Sequence, residues 1–448
     1  MRRSGLTVLV VVALLAAVGV ATIRGGVTNV APNAATAGPS AQSSALYCTG
    51  LTNNRGGLRG VVTFINTTGR TRHVVVHAVA TGATSAVATA LTLGPFARRS
   101  VTPTNLVVGG TYALSAQIDG GGVNGEEVVT RHGTQAPCVS QGVTTWYGAG
   151  FDTTVGSSAT LSVYNPTATA AVFNVTTFSG GGYLAPARLQ GVTVGAHAVL
   201  TLDLGEEIVA TTNVGVEVSV LRGSLVVVGD QVSGTTSSFN YGTAALTTSG
   251  AFTLVTTANG ALAQVRLANP GPTAAVVKVR VTLGRFNVAP QSTTIPAYHS
   301  SIITITPNTA IPASGEAALS LVASHPVQAT LATGTTSGLT LSPLATPVAR
   351  AVLADVTGAG FGEATLTNAR AKTTSVNWTL IHDNRVEVTG VLSLGGGATV
   401  SLGQLVGGRA KLRGATFVAT TRKAALVVDA ILNTSPIGLT LAAPLNGG

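Results

Sequence analysis

Short runs in which every second residue is apolar fill most of the chain after residue 45. One such run shows the pattern clearly, because Val277, Val279 and Val281 alternate with Lys278 and Arg280. This alternation places the valines on one face of a β-strand and the charged residues on the other. A helical period of any length is found only in the N-terminal segment. The pattern therefore predicts an all-β protein.

A strand that ends in an asparagine occurs four times along the chain. The asparagines are Asn66, Asn165, Asn269 and Asn368, which are 99, 104 and 99 residues apart. Apolar residues two and four positions before each asparagine, and eight and ten positions after it, keep the same face. This spacing predicts two antiparallel strands joined by a turn, and asparagine suits the special backbone angles of turns.

A second turn of small residues follows each asparagine after about 28 to 31 residues, with strand-like runs on both sides. These turns are at Gly94-Pro95, Gly195-Ala196, Pro296-Ala297 and Gly395-Gly396. About six or seven short strands per 100 residues are typical of an antiparallel β-sandwich, immunoglobulin-like in the broad sense. We therefore predict four tandem β-sandwich units, at 46–140, 141–246, 247–345 and 346–448. Because the linkers are short, we expect the units to stack into a semi-rigid rod.

The N-terminus predicts export. Residues 6–23 carry no charge and follow Met1-Arg2-Arg3. As a helix they span about 27 Å, close to the roughly 30 Å of a bilayer core, which favours an anchor slightly over a cleaved signal peptide. The small residues Gly19-Val20-Ala21 leave cleavage open. We assign 1–27 to a signal peptide or membrane anchor helix and 28–45, rich in Ala, Pro, Ser and Thr, to a flexible linker, so the remainder is extracytoplasmic, either anchored or secreted.

The two cysteines of the chain, Cys48 and Cys138, are predicted to form a disulfide. An exported chain lies in an oxidising space, where a pair of cysteines normally forms a bridge. A metal site would need further ligands, and free thiols fit export poorly.

Composition argues against an enzyme. Hydrophobic residues make up 45% of the chain and charged residues 9%, which excludes disorder over most of it. The sequence has no nucleophile-elbow, metalloprotease or phosphate-loop motif, and we predict no cofactor and no metal. His382-Asp383 would meet only in a turn, and Asp203 with Glu206-Glu207 is interpreted as a solvated turn rather than a cation site. A hydrolase acting on envelope glycan or peptide is a distant alternative that would use these groups.

The net charge of +10 suggests an anionic partner. If residues 409–413 are extended, Arg409, Lys411 and Arg413 form a row that can attract anionic cell-wall polymer, acidic glycan or lipid headgroups. The simpler interpretation is an edge strand protected by charge. Export argues against nucleic acid, and an envelope protein is another possible partner.

Few aromatic residues could bind sugars by stacking. Trp146, Tyr147 and Phe151 would either form a glycan platform or pack inside the protein, and packing is the simpler expectation. The register predicts that Trp378 points inward.

Four features resemble a family of exported proteins from high-GC actinobacteria that is known only as a domain of unknown function. They are the N-terminal apolar segment, Trp146-Tyr147-Gly148-Ala149-Gly150, Tyr164-Asn165-Pro166 and Val226-Val227-Val228. The resemblance covers most of the exported chain and implies a cell-envelope protein, with no catalytic residues to transfer. The sequence thus predicts a non-enzymatic scaffold or spacer, with a binding module for wall polymer, glycan or protein as the alternative.

Overall fold

The computed structural model describes most of the chain after residue 43. The described residues are 44–52, 59–83, 85–107, 110–130, 134–234, 236–256, 262–283, 286–306, 311, 315–335, 338–344, 349–353, 361–370, 372–412, 414–423, 426–432, 438–441 and 443–444. The N-terminal helix predicted within 1–27 and the linker at 28–45 thus lie almost wholly outside the described residues. Within the described part, no helix has the length and apolar character needed to cross a membrane.

The fold is almost entirely β. In the first part of the chain the strands are β1 Ser44–Thr52, β2 Arg59–Asn66, β3 Arg72–Ala80, β4 Val87–Leu93, β5 Arg98–Val101, β6 Thr111–Ile118, β7 Val123–Thr130 and β8 Thr134–Pro137. They are followed by β9 Thr145–Phe151, β10 Ser157–Tyr164, β11 Ala171–Ser179, β12 Gly182–Leu184, β13 Val192–Val194, β14 Val199–Asp203, β15 Val214–Arg222, β16 Val226–Ser233 and β17 Thr236–Asn240.

The second half continues in the same way. Its strands are β18 Thr247–Thr256, β19 Leu262–Asn269, β20 Ala275–Leu283, β21 Phe286–Asn287, β22 Gln291–Ile295, β23 His299–Ile305, β24 Gly315–Thr335 and β25 Gly338–Pro343. The last set is β26 Arg350–Leu353, β27 Phe361–Asn368, β28 Thr374–His382, β29 Arg385–Leu394, β30 Thr399–Ser401, β31 Thr416–Thr420, β32 Leu426–Leu432, β33 Gly438–Leu441 and β34 Ala443–Pro444. The helical elements described are one short α-helix, α1 Leu402–Leu405, and 3-10 helices at Pro103–Asn105, Ala187–Leu189, Leu204–Glu206 and Arg409–Leu412.

Apolar side chains form four large clusters in the described part of the chain. We call them core 1 (46–138), core 2 (146–227), core 3 (252–331) and core 4 (351–426). Cores 1, 2 and 4 each contain residues from two sheets; around core 2, for example, the sheet β14-β10-β16-β17 faces the sheet β12-β11-β15-β9. The strands around core 3 form one eight-stranded sheet, because the long strand β24 pairs with both β18 and β19. The alternation predicted from sequence is confirmed in core 3, where Val277, Val279 and Val281 are buried and Lys278 and Arg280 are exposed. The boundaries between the four predicted units remain predictions.

The four asparagines occupy equivalent positions, as predicted. All four are completely buried. The Asn269 amide donates to the carbonyl oxygens of Thr273, Ile295 and Pro296 at 2.8, 3.2 and 3.0 Å, and its Oδ1 accepts from Gly271 N at 3.1 Å. Asn66, Asn165 and Asn368 make the same set of bonds. Each side chain therefore joins the two turns that the sequence marks.

The second turn has the same conformation each time. Its third or fourth residue has a positive φ in all four copies: Phe96 at 55°, His197 at 51°, Tyr298 at 62° and Gly397 at 70°. In each case the amide of this residue donates to a carbonyl of the asparagine turn, such as Tyr298 N to Gly271 O at 3.2 Å. A left-handed backbone is unfavourable for residues other than glycine, so three of the four turns are strained.

The expected rod is wrong, because core 4 contacts core 1. Strand β33 pairs in parallel with β8 through Thr440 and Gln135, which joins sheets from the two ends of the described chain into one order, β30-β27-β32-β33-β8-β7-β2-β5. In addition, β8 contacts β17, β17 contacts β25 and β25 contacts β33. The last strands of the four sets thus meet in a closed cycle. A free strand edge presents unpaired N–H and C=O groups, and pairing β8 with β33 satisfies some of them.

Candidate functional site

Polar groups of the described residues form hydrogen bonds between successive cores. Core 2 docks on core 1 through a small cluster of buried apolar residues, Val79, Ala113, Tyr164, Val199 and Val226. Beside it Thr49 and Ser162 are hydrogen-bonded at 2.9 Å. Ser162 lies three residues before Asn165, and Thr49 lies in β1, the first strand of core 1.

Core 3 docks on core 2 in the same way. Arg266 lies three residues before Asn269, and its Nη1 donates to Gly150 O in β9, the first strand around core 2, at 2.8 Å. Ala268, the residue just before Asn269, packs so closely on Gly215 that a Cβ there would lie 2.4 Å from the Ala268 side chain. Ser300 donates to Asn213 O at 2.7 Å, and Asn213 Nδ2 donates to Ser301 O at 2.8 Å. Equivalent residues thus form equivalent contacts at two successive junctions.

The left-handed turns face the neighbouring cores. His197 lines a cavity of about 480 Å³ together with Tyr47 and His77 of core 1. Tyr298 contacts Tyr183 beside core 2, with ring centroids 6.2 Å apart. Gly397 faces Thr282 in β20, 4.0 Å from the place of a Cβ. Thr282 is only 8% exposed.

The fourth junction closes the cycle. Phe96 lines a cavity of about 360 Å³ with Arg98 and Arg99 on the core 1 side and with Asp383 and Asn384 on the core 4 side. Each left-handed turn therefore lies against the preceding core, and the turn of core 1 lies against core 4. A head-to-tail interface of this kind gives a closed assembly when the rotation between neighbours brings the last one back to the first.

A buried carboxyl group lies at the junction of cores 1 and 2. Glu127 of β7 is 1% exposed, and the Tyr241 hydroxyl donates to its Oε1 at 2.9 Å. Its Oε2 has no hydrogen-bond partner among the described residues. Burial raises the pKa of Glu127 to about 8, although the hydrogen bond from Tyr241 opposes this. Burial, and then the nearby Glu127, hold the pKa of Tyr241 well above its usual value. The pair is therefore neutral at pH 7 and acts as an uncharged contact.

Arg266 is the buried cation at the junction of cores 2 and 3. It is 3% exposed. Burial lowers the pKa of its guanidinium, and the nearby charge of Asp152 opposes that effect. Since removing one partner from a buried charge leaves the other uncompensated, this contact fixes the two cores against each other.

The acidic residues singled out in the sequence line a cavity of about 640 Å³ between cores 1 and 2. Asp203, Glu206 and Glu207 lie on its core 2 side with Asp230. Asp203 accepts from Gly205 N at 2.8 Å, which caps a 3-10 helix, and Glu207 pairs with Arg188 at 3.6 Å. The interpretation as a turn agrees with this local bonding. Within the described residues, no group of three or more His, Cys, Asp and Glu side chains is placed to hold a metal ion.

His382 and Asp383 lie in a turn, where the side chains of two adjacent residues can contact each other. His382 Nδ1 lies 3.5 Å from Asp383 Oδ2, and the two side chains are 39% and 74% exposed. Asp383 and Asn384 both have positive φ, and they form the tight turn between β28 and β29. The structure places this pair at a solvent-exposed hairpin turn.

The row of basic residues does not form as predicted. Residues 409–412 are a 3-10 helix rather than an extended strand, so Arg409 and Lys411 do not follow the two-residue period of a strand face. Gly407 and Gly408, with φ of 80° and 141°, lie between α1 and this helix. Arg413 lies outside the described residues. Contact of Arg409, Lys411 and Arg413 with an anionic polymer remains a prediction.

The predicted disulfide is confirmed, and so is the expectation that Trp146 and Phe151 pack inside the protein rather than form a glycan platform. Cys48 and Cys138 are bonded to each other and buried in core 1, as is typical of proteins in oxidising, extracytoplasmic spaces. Trp146 and Phe151 are 3% and 0% exposed in core 2, so their rings cannot stack on a sugar. Trp378 is buried in core 4, as predicted.

Sequence reasoning missed the junction residues Glu127, Tyr241 and Arg266. Arg266 carries a readable signal, because it occupies an outward position of a strand next to an asparagine turn and is the basic member of an otherwise uncharged run. Glu127 gives no such signal, since its neighbour Glu126 suggests an exposed acidic pair.

Comparison with known proteins gives little. No protein-family model matches the chain, and no curated protein matches it. Among solved structures, a tetra-tandem repeat in the extending region of a large adhesion protein is 15% identical, and the match covers 91% of this chain and 100% of that chain, with a TM-score of 0.12. At that TM-score the match carries no argument about this chain.

Proposed function

We propose that the chain is a non-enzymatic scaffold of the cell envelope, made of four β-sandwich units at 46–140, 141–246, 247–345 and 346–448 that dock in a closed cycle. The observation that carries the proposal is that the deeply buried ionisable groups Glu127, Tyr241 and Arg266 are engaged in contacts between cores. Strongly shifted pKa values in an enzyme cluster around a reacting group. In this chain the strongly shifted pKa values belong to groups that make contacts between cores.

The extracytoplasmic location is supported by the buried disulfide in core 1. In a reducing compartment this disulfide would be lost. Its contribution to the free energy of unfolding is about 4 to 5 kcal/mol in the chain-entropy model for a loop of this size. An anchor or signal within 1–27 would deliver the chain to that location.

Complementation of a deletion strain tests the scaffold. One variant removes the candidate catalytic groups through Asp203→Asn, Glu206→Gln, Glu207→Gln, His382→Ala and Asp383→Ala. A second variant loosens a junction through Arg266→Ala and Tyr298→Gly. We expect the first to restore the envelope of the deletion strain and the second to fail. Failure of the first variant, with wild-type export and thermal stability, would contradict a non-enzymatic role.

Binding of anionic wall polymer is the second candidate. Lys411, Arg422 and Lys423 are exposed, and the chain carries a net charge of +10. Sedimentation with purified wall sacculi should be lost at high salt and in the triple variant with serine at 409, 411 and 413. Lys278→Ser with Arg280→Ser, exposed on β20, is the matched control. Binding that persists in the triple variant would exclude this site.

A further inference from the structure

The sheet that contains the strand after the asparagine turn, which we call the outer sheet, has an edge that differs between the four cores. In each core this strand pairs with one or two short strands or one long strand that form the sheet edge. These edge strands are β4 on β3, β12 and β13 on β11, β21 and β22 on β20, and β29 on β28. They occupy equivalent positions, so the chain offers four versions of the same edge.

Two of these edges are interrupted. Beside core 2 the edge consists of two three-residue strands, with Pro186 and a 3-10 helix between them. Beside core 3 it consists of strands of two and five residues, with Pro290 between them. Short strands and prolines prevent a sheet edge from pairing with another chain.

The edge of core 4 has no such protection. Strand β29 runs for ten residues and contains no proline. A bulge opposite Leu380 and Ile381 ends at Val388, after which pairing with β28 is regular to Leu394. The regular part, Val388–Leu394, is seven residues long, uncharged and centred on Val391. Among the described residues β29 pairs with β28 alone.

The side chains of this edge favour another strand beside it. Val388 and Leu392 pack against core 4 but are only partly buried, and Val391 on the opposite face is 72% exposed. Gly390 lies between the two core-facing residues, and a Cβ there would come within 2.6 Å of Trp378. The Trp378 ring therefore covers Gly390 on the core-facing side, and Gly390 adds no side chain of its own to the edge.

A second copy of β29 complements these features. In an antiparallel pair centred on Val391, residue 390 faces 392 of the other copy and 388 faces 394, so core-facing side chains meet core-facing side chains. Gly390 then lies opposite Leu392. The charged residues Arg385 and Glu387 lie outside the regular part, Val388–Leu394, so no charged residues pair with each other within it. The β29 of the second copy is already an extended strand, so pairing does not require an unstructured segment to become ordered.

We propose that β29 pairs edge to edge with β29 of a second copy of the chain, antiparallel about a two-fold axis at Val391. The outer sheet of core 4 then continues from one molecule into the other. The contact does not depend on the proposed scaffold function. Since a single strand pair is smaller than a standard interface of about 800 Å² per partner, the dimer is expected to be weak, with a Kd on the order of 1–100 μM.

Analytical ultracentrifugation of the full chain, exported so that its disulfide forms, tests the proposal. The wild type should dimerise between 1 and 200 μM. Val391→Lys and Val391→Glu each place like charges opposite each other at the two-fold axis and should raise Kd at least tenfold. An equimolar mixture of the two variants places opposite charges together and should recover the dimer, because the two Cβ atoms would lie about 5 Å apart. Val155→Lys, at a fully exposed position away from β29, should change nothing.

Three results would overturn the proposal. They are a wild type that stays monomeric at 200 μM, a dimer that persists in both charge variants, or charge variants that remain monomeric when mixed. Because Val391 is exposed, all variants should unfold at the wild-type temperature, which separates loss of pairing from loss of the fold.

Discussion

An asparagine side chain can satisfy backbone groups where two turns meet. Each carbonyl that accepts from the amide of Asn66, Asn165, Asn269 or Asn368 lies in one of the two turns or at the last residue of a strand, where the sheet ladder ends. A buried carbonyl without a partner is destabilising by about 1 to 3 kcal/mol. One amide satisfies three carbonyls, and this explains why the same residue type recurs near a period of 100 residues.

Replacing this amide should be costly to stability. Asn269→Ala removes the donor to three carbonyls, of which the Ile295 carbonyl is bonded in a buried position, and the acceptor for the Gly271 amide. We expect the free energy of unfolding to fall by about 3 kcal/mol. Urea titration followed by circular dichroism measures the change. Asn377→Ala, an exposed asparagine on β28, should stay within about 0.5 kcal/mol of the wild type. Equal effects of the two substitutions would contradict the role assigned to Asn269.

Glu127 should make stability depend on pH. The folded protein keeps the Glu127 proton up to about pH 8, whereas a model carboxyl loses it near 4.5. This contribution to stability is complete below pH 4.5 and is lost as the pH rises towards 8, at up to about 1.4 kcal/mol per pH unit. Glu127→Gln keeps an acceptor for Tyr241 and removes the proton, so unfolding at pH 5 and pH 8 should show a smaller loss in the variant.

The control for this measurement is Glu206→Gln, at an exposed position, which should keep the wild-type dependence. Identical pH dependence in the wild type and Glu127→Gln would show that Glu127 is already ionised at neutral pH in the folded protein.

Among the elements, the turn with a left-handed backbone recurs in each of the four cores. Phe96, His197 and Tyr298 adopt a positive φ that glycine adopts freely at Gly397. Gly397→Ala should therefore be destabilising by about 1 kcal/mol through the backbone alone, since the nearest atom to an added Cβ lies 4.0 Å away. Thermal unfolding measures this, with Gly396→Ala as the control that should cause no loss. A neutral Gly397→Ala would contradict the strain assigned to the other three turns.

The strands could be predicted from sequence because one face is buried and the period is short. Val277 and its neighbours show this, as does inward-pointing Trp378. The 3-10 helix at 409–412 could not be predicted, because Arg409, Lys411 and Arg413 alternate as they would in a strand. The glycines before them, Gly407 and Gly408, are compatible with many backbone conformations. The strained turns were also hidden, since Phe96, His197 and Tyr298 do not carry the glycine signal of a left-handed backbone.

At the scale of the whole molecule, the cycle of contacts distinguishes this chain from a linear array. Short linkers alone favour stacking of neighbours, and that argument led to the expectation of a rod. The deciding feature is the edge of the last sheet, because β33 pairs with β8 and the turn at Phe96 lies against core 4. Sequence patterns define the faces of strands but not the partner of an edge strand, so the closure could not be predicted.

The distance between core 1 and core 4 tests this account most directly. Thr92 lines the cavity that Phe96 also lines, and Arg385 follows Asn384, which lines it from the core 4 side. Spin labels at Thr92→Cys and Arg385→Cys therefore report on this junction, and the native cysteines are bonded to each other and would not react. Double electron–electron resonance should give a distance shorter than one 100-residue unit, about 30 Å. A linear array would place two units between the labels and give a distance on the order of 60 Å or more, which would contradict the closed cycle.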